Sequence, residues 1–315
     1  MTLSRRLLFS SATALAAAGL APAAAQPARP AATPPAMARF QVGRVTVTAL
    51  SDGFIDAPVG LFTGAPAAEL AGLLQARGIA GPSVRLGFTS WLVEDGERRI
   101  LIDAGAAGFV PTSGRLPAAL GALGLSPSDI DLVAITHLHI DHISGLVGPG
   151  GAAFPKAALL LPRADVAHFT DPARAAAANE LRRPSYTVAA EVLRLYPGAQ
   201  RIDSAQALSR FVESVPMPGH TPGHTGFRIS DGGQSLLVVG DALFDPALHP
   251  GRSDIGIAFE EDPDAVRAMR GRLFAQAAAE GAALAATHMP FPGVGRIVRD
   301  GGALRWVAAD FPYVG

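Results

Sequence analysis

Cysteine is absent from the 315-residue sequence, and lysine occurs once, at Lys156. Without cysteine there is no disulfide, no thiolate ligand and no cysteine nucleophile. A metal bound by this chain is therefore bound through histidine and carboxylate. Net charge is almost absent too: 26 Lys+Arg against 27 Asp+Glu leave −1, without the basic surplus that nucleic-acid binding favours. No apolar run reaches the roughly 18–20 residues of a membrane-spanning helix. Aromatic residues are only 6% of the chain and charged residues 17%, yet 49% are hydrophobic. That excludes a disordered polymer and supplies a sizeable core.

Acid is missing from residues 1–36, and the first carboxylate is Asp52. In that stretch Ser4-Arg5-Arg6 precedes an Ala/Leu-rich run over residues 7–20. Small residues follow in Ala21-Pro22-Ala23-Ala24-Ala25-Gln26, which fits an A-x-A cleavage site. A charged start, a short apolar middle and a small-residue end read as a secretory signal over residues 1–25, of the twin-arginine type. A Pro/Ala-rich linker over 26–39 and one folded domain over 40–315 complete the expected organisation. The expectation is a periplasmic or secreted protein with no stable membrane insertion after cleavage.

In the domain, residues 40–50 alternate and are rich in Val and Thr, as in a strand. Residues 88–93 and 99–103 read as a hairpin across Asp95-Gly96. A helix is expected over 116–123, a capped turn over 126–130, and strands over 131–136 and 157–161. Helical stretches follow over 164–169 and 175–195. Strands over 225–229 and 235–239 flank Asp231-Gly232-Gly233. Asp262-Pro263-Asp264 opens a helix running to about Glu280, and residues 295–307 form a last hairpin around Asp300-Gly301-Gly302. Mixed strands and helices without a repeat argue for one domain of both element types.

Four apolar runs end on a metal-type ligand: 132–136 on His137, 211–219 on His220, 236–240 on Asp241 and 282–287 on His288. Strands that stop on such residues gather them along a sheet edge. The first run continues as His137-Leu138-His139-Ile140-Asp141-His142, four metal-competent side chains in six residues. Extended backbone sends alternate side chains to opposite faces, so 137, 139 and 141 share a side while Leu138 and Ile140 point to the core. A turn after residue 140 would free Asp141 and His142 for a second metal. Neutral imidazole and carboxylate suit zinc, which lowers the pKa of a bound water to about 7.

These residues resemble the metallo-β-lactamase superfamily. The 137–142 stretch matches its HxHxDH signature at every fixed position. Gly219-His220-Thr221-Pro222-Gly223-His224-Thr225 is similar to its second metal motif, and Leu101-Ile102-Asp103-Ala104-Gly105 to the motif preceding HxHxDH. Gly240-Asp241 and His288 supply the last two signature positions. The resemblance spans about residues 40–315 and implies an α+β, four-layer αββα sandwich holding two Zn²⁺ per chain. It implies one ion on His137, His139 and His220, the other on Asp141, His142 and His288, and Asp241 bridging both. It further implies a hydrolase with a metal-bridging hydroxide as nucleophile, with Asp141 as the catalytic residue that handles a proton when the leaving group departs. The commonest bacterial zinc β-lactamases use a cysteine ligand and no bridging aspartate, so antibiotic hydrolysis is not expected as the main activity.

A narrower resemblance is to methyl parathion hydrolase-like enzymes. It is carried by Gly105-Ala106-Ala107-Gly108, by residues 219–225, by His288-Met289-Pro290-Phe291-Pro292-Gly293-Val294-Gly295 and by Val47-Thr48-Ala49-Leu50-Ser51-Asp52-Gly53. It implies a small, fairly apolar substrate: an ester, a lactone or an organophosphate triester. The tyrosine that assists acyl-homoserine lactonases falls on Phe244, three residues after the bridging aspartate, which argues against a specialised signal lactonase. Family members are often dimers, so a homodimer is expected alongside the small-molecule substrate.

Other residues extend the site. Asp103 ends a strand and reads as an acceptor orienting a ligand histidine, and His224, four after His220, as an outer residue beside the ligands. Phe109, Phe244, Phe291 and His249 are candidates for the substrate pocket, whereas His168 reads as a surface helical residue. Two other function classes compete with hydrolysis. A di-iron oxidoreductase on the same fold would usually carry a flavin module, for which 315 residues leave no room; bound iron with oxygen uptake would reveal it. A non-catalytic metal-binding protein would show no zinc-dependent turnover of p-nitrophenyl esters. A nuclease is disfavoured by the balanced charge.

Overall fold

The computed structural model describes residues 35–310. The signal reading over 1–25 and most of the 26–39 linker lie outside the described residues.

Alternation along strand Ser83–Glu94 sets the layering. Trp91 and Val93 point one way and Leu92 the other, yet all three are wholly buried, so both faces of the sheet are covered. Trp91 and Val93 pack with Val47, Ile100 and Ile102, and with Phe227, Ile229, Leu236 and Val238 of a second sheet. Leu92 packs instead with Leu101, Val133 and Leu159 beneath helices Leu116–Ala122, Arg163–Phe169 and Arg183–Leu195. The second sheet repeats the logic. Leu236 and Val238 face the first sheet, while Leu237 and Val239 pack against Met269, Phe274 and Ala277 of helix Pro263–Glu280. The layers are helix, sheet, sheet, helix: the α+β, four-layer αββα sandwich. Each such fully buried Leu, Val or Phe contributes about 1.5–3 kcal/mol of apolar transfer.

The first sheet has seven strands in the order Met37–Val42, Val45–Pro58, Ser83–Glu94, Arg99–Ile102, Leu132–Ala134, Ala158–Pro162, Gln200–Ile202. The last four of these run parallel to one another. The second has six: Val212–Pro216, Thr225–Asp231, Gln234–Val238, Ala283–Ala285, Val294–Asp300, Ala303–Ala308. Only Gln234–Val238 and Ala283–Ala285 are parallel there. The carboxyl ends of parallel strands, where open α/β sheets place their ligands, thus occur at one edge of each sheet.

Several expectations are corrected. The strand over 40–50 is two strands joined at Gly43-Arg44, and the first begins at Met37, inside the stretch read as linker. Gly43 has φ +59°, a conformation glycine adopts without strain. The helix over 175–195 is broken into Pro172–Ala177 and Arg183–Leu195. At the break the Asn179 side chain accepts the Arg182 N–H at 3.0 Å, and Pro184 has no N–H to offer a continuing helix. The extended reading of 137–142 ends early, because a short helix Ile140–Ile143 follows His139. His168 is not on the surface but 6% exposed, with Nε2 3.0 Å from the Tyr186 hydroxyl. The helix after Asp262 starts and stops as read: the Asp262 carboxylate accepts the Ala265 N–H at 3.0 Å, and Gly281 ends it at φ +62°.

Strands Val45–Pro58 and Ser83–Glu94 remain paired as far as Pro58 and Ser83. Beyond them, Phe62, Leu70 and Leu74 pack with Leu86 against Phe244, Leu248, Ile255 and Ile257. This satellite core fixes the segment that follows Asp241.

Candidate metal centre

Strand Leu132–Ala134 delivers Thr136 and His137; the end of Gln234–Val238 delivers Asp241; the end of Ala283–Ala285 delivers His288. The turn between Val212–Pro216 and Thr225–Asp231 contributes His220, and helix Ile140–Ile143 contributes Asp141 and His142. With His139, which directly precedes that helix, seven metal-competent side chains converge in two groups: His137, His139, His220 and Asp241 in one, Asp141, His142 and His288 in the other.

In the first group His139 Nδ1 lies 3.0 Å from both His137 Nε2 and His220 Nε2. Asp241 Oδ2 lies 3.1 Å from His220 Nε2 and 3.6 Å from His137 Nε2. In the second, His288 Nε2 is 3.4 Å and His142 Nε2 3.6 Å from Asp141 Oδ2. Asp241 joins the groups, with Oδ2 3.1 Å from His288 Nε2 and Oδ1 3.2 Å from His142 Nε2. Donor atoms held tetrahedrally about 2.0–2.1 Å from an ion sit about 3.3–3.4 Å apart, which this spacing approximates. Hydrogen bonds at His139 and between His288 and Asp241 account for only part of it. His142 Nε2 and Asp241 Oδ1 are buried and have no hydrogen-bond partner, a state that otherwise costs about 1–3 kcal/mol per group. The residues present fit two divalent cations bridged by Asp241.

The opposite ring nitrogens of His137, His142 and His288 are tied down, which aims the converging ones, whereas His220 Nδ1 is buried without a partner. Asp103 Oδ2 accepts from His142 Nδ1 at 2.8 Å. Thr136 Oγ1 lies 3.0 Å from His137 Nδ1 and donates to Asp103 Oδ2 at 2.9 Å. His288 Nδ1 donates to the Gly87 carbonyl at 2.8 Å. Asp103 itself sits at φ +61°, a left-handed conformation that aspartate tolerates better than most residues. His224 belongs to neither group: its Nδ1 donates to the Met217 carbonyl at 3.0 Å, and its Nε2 accepts the Asp241 N–H at 3.1 Å.

Electrostatics divide the histidines. Burial holds His137 and His220 well below the usual imidazole range and His139 at about 4. Burial also disfavours charge on His142 and His288, but the Asp241 carboxylate, with Asp103 and Asp141 for His142 and Asp141 for His288, raises both. Burial opposes the charge of Asp241 as well; the surrounding histidines, His288 foremost, hold it well below the usual carboxylate range.

The pocket candidates separate. Phe244 stacks on His288 at 5.1 Å and lies 5.8 Å from His220. His249 is fully buried behind Phe244, donating from Nε2 to the Ile255 carbonyl at 2.9 Å, so it does not line an open pocket. Phe291 is half-buried and packs toward the inter-sheet core. Phe109 is 51% exposed on the loop after Gly108. Sequence reasoning missed Phe259, which faces His139 at 6.3 Å, and Phe169, at 5.7 Å. It also missed Arg270, 1% exposed, which donates to the Ala242 and Ile255 carbonyls at 2.9 Å each and pairs with buried Glu260 at 2.7 Å. The available signal was the i, i+4, i+8 register of Val266, Arg270 and Phe274 on one helix face.

Known proteins resemble this chain to different extents. A hydrolase of the beta lactamase superfamily, AbOPH, superposes with a TM-score of 0.80 at 27% identity, covering 87% of this chain and 98% of its own. AidC, a dizinc quorum-quenching lactonase, superposes at 0.81 with 24% identity, covering 88% and 99%, a likeness of fold alone. Mycobacterium bovis and Mycobacterium tuberculosis each have a "Probable metallo-hydrolase" 28% identical over 139 residues. That match takes in 41% of this chain, which spans about two-fifths (42%) of the length of those curated relatives. The sequence profile of the metallo-beta-lactamase superfamily matches residues 87–288. With that match over most of the chain, and the signature residues gathered at one edge of an αββα sandwich, the protein belongs to the metallo-beta-lactamase superfamily.

Proposed function

We propose that the chain is a dinuclear zinc hydrolase acting on a small, apolar ester, lactone or organophosphate triester. The observation that carries this reading is the sharing of Asp241 between two donor sets, with His142 Nε2 and Asp241 Oδ1 buried and without a hydrogen-bond partner. Two bound zinc ions would supply Lewis acidity and water acidified to near-neutral pKa. The chain's own residues do the rest. Asp103, Thr136 and the Gly87 carbonyl hold His142, His137 and His288 in the tautomers that direct Nε2 inward. Asp141, 18% exposed at its side chain, is the carboxylate of the site most open to solvent, placed to pass a proton to a departing group.

Phe244, Phe259 and Phe88, whose ring lies 5.8 Å from His288, give the surroundings an apolar, aromatic character. This supports an aryl or alkyl substrate over a charged one. A phenylalanine at 244 offers no hydroxyl to a lactone oxygen, which favours esters and phosphotriesters, as the narrower sequence resemblance does. The signal-like residues 1–25 support export to the periplasm or beyond, which fractionation of the expressing cell tests directly. The activity is tested by assaying metal-analysed protein on aryl esters, lactones, phosphotriesters, a β-lactam and a glutathione thioester. Zinc-dependent turnover of the first three classes supports the proposal. Turnover confined to the β-lactam or the thioester would overturn the substrate assignment, and bound iron with oxygen uptake would overturn the reaction class.

A further inference from the structure

We infer that Asp165 is a positioning residue that ties the two histidine-bearing loops of the first donor set together and sets their spacing. The inference rests on the metal-site reading above. Asp165 lies just beyond strand Ala158–Pro162 and is 0% exposed. Its Oδ2 accepts the Leu138 N–H at 2.9 Å and the Thr221 hydroxyl at 2.8 Å, and its Oδ1 accepts the Gly223 N–H at 2.5 Å. Leu138 stands between His137 and His139, and Thr221 directly follows His220. One carboxylate thus holds the backbone between His137 and His139 and, through the Thr221 hydroxyl and the Gly223 N–H, the loop of His220, although these partners lie 27, 56 and 58 residues from it along the chain.

The chemistry selects this side chain. A carboxylate only accepts, so it satisfies three converging donors; an amide would turn one of its own donors against an N–H. Fold stability alone does not ask for it, since burying a carboxylate is costly even when hydrogen-bonded. The grip also explains the residues around His220. A Cβ on Gly223 would stand 2.7 Å from Asp165 N and 2.8 Å from its Oδ1, so only glycine allows the loop this close. Thr221 supplies the hydroxyl. Asp52 provides the contrast: it too is a buried carboxylate, accepting the N–H groups of Ala106, Gly114 and Leu116, but that loop carries none of the seven donors.

The test compares Asp165→Asn and Asp52→Asn with the parent protein, measuring zinc affinity by chelator competition, the visible spectrum after cobalt loading, and thermal melting of the metal-free form. Asp165→Asn is expected to weaken one of two zinc equivalents by about 10–100-fold and to alter the cobalt spectrum. Asp52→Asn is expected to lower the melting temperature with both affinities intact. Thr221→Val, which removes one donor without touching the charge, is expected to weaken the same equivalent to a smaller degree, and it carries the test if Asp165→Asn does not fold. Unchanged zinc affinity in Asp165→Asn, or in Thr221→Val where that variant stands in, overturns the inference while leaving the metal site standing. A parent protein that takes up no zinc overturns the metal-site reading itself, and the inference with it.

Discussion

For His137, His142 and His288 the partner of one ring nitrogen decides that the other faces the donor cluster. His142 is held by Asp103 and His288 by the Gly87 carbonyl, and both imidazoles are raised above the usual range by Asp241 and its neighbours against the effect of burial. In the metal-free protein these two rings hold their protons to higher pH than a free imidazole does. Their stabilisation is complete below about pH 6.5, the unfolded value, and is lost as pH rises through the higher folded values. A divalent ion must displace those protons. Zinc binding is therefore predicted to release protons and to tighten as pH rises, readable by calorimetry in buffers of different ionisation enthalpy. A second residue-scale prediction concerns Phe244, 2% exposed and stacked on His288. Phe244→Ala should destabilise the protein by about 3–5 kcal/mol in denaturant melts and raise KM for aryl substrates more than it lowers kcat.

The elements decide where these residues meet. Strand ends were legible from the sequence because apolar runs stopping on His137, Asp241 and His288 carry both the strand and its terminus in one pattern. The hairpin at 294–308 and the helix from Asp262 were legible for the same kind of reason: turn glycines, a capping aspartate and a proline at the first helical position. What was not legible depends on long-range partners. Asp165 looks like any acid near a helix start, and only the fold brings Leu138 and Gly223 to it. The helix break at Asn179 needed a side-chain–backbone bond to compete with helix, and His249 and His168 gave no local sign of burial. Arg270 makes a prediction at this scale, because it links helix Pro263–Glu280 to the Asp241 turn. Arg270→Leu should cost about 3–5 kcal/mol by leaving Glu260 buried and unpaired. Adding Glu260→Gln to that variant should recover part of the loss, as double-mutant denaturation will show.

At the scale of the whole molecule, two sheets contribute to one centre. His137, His139, Asp141 and His142 follow a strand of the seven-stranded sheet; His220, Asp241 and His288 come from the six-stranded one. A metal held there would draw on residues of both halves of the sandwich, and ligands that bind only the folded state stabilise it by mass action. Chelation is predicted to lower the melting temperature, and zinc at about 100 times its dissociation constant to restore about 2.7 kcal/mol. The αββα architecture was readable from the motifs because they resemble a family whose fold is shared. The substrate was not, because one scaffold carries many reactions and the rings against His139, Phe259 and Phe169, converge only in three dimensions. The most direct test of the account is a titration: zinc added in increments to metal-free protein while hydrolysis of a p-nitrophenyl ester is followed. The account predicts a rate that climbs and levels off at about two equivalents per chain. A rate indifferent to zinc, or a plateau reached below one equivalent, would contradict it.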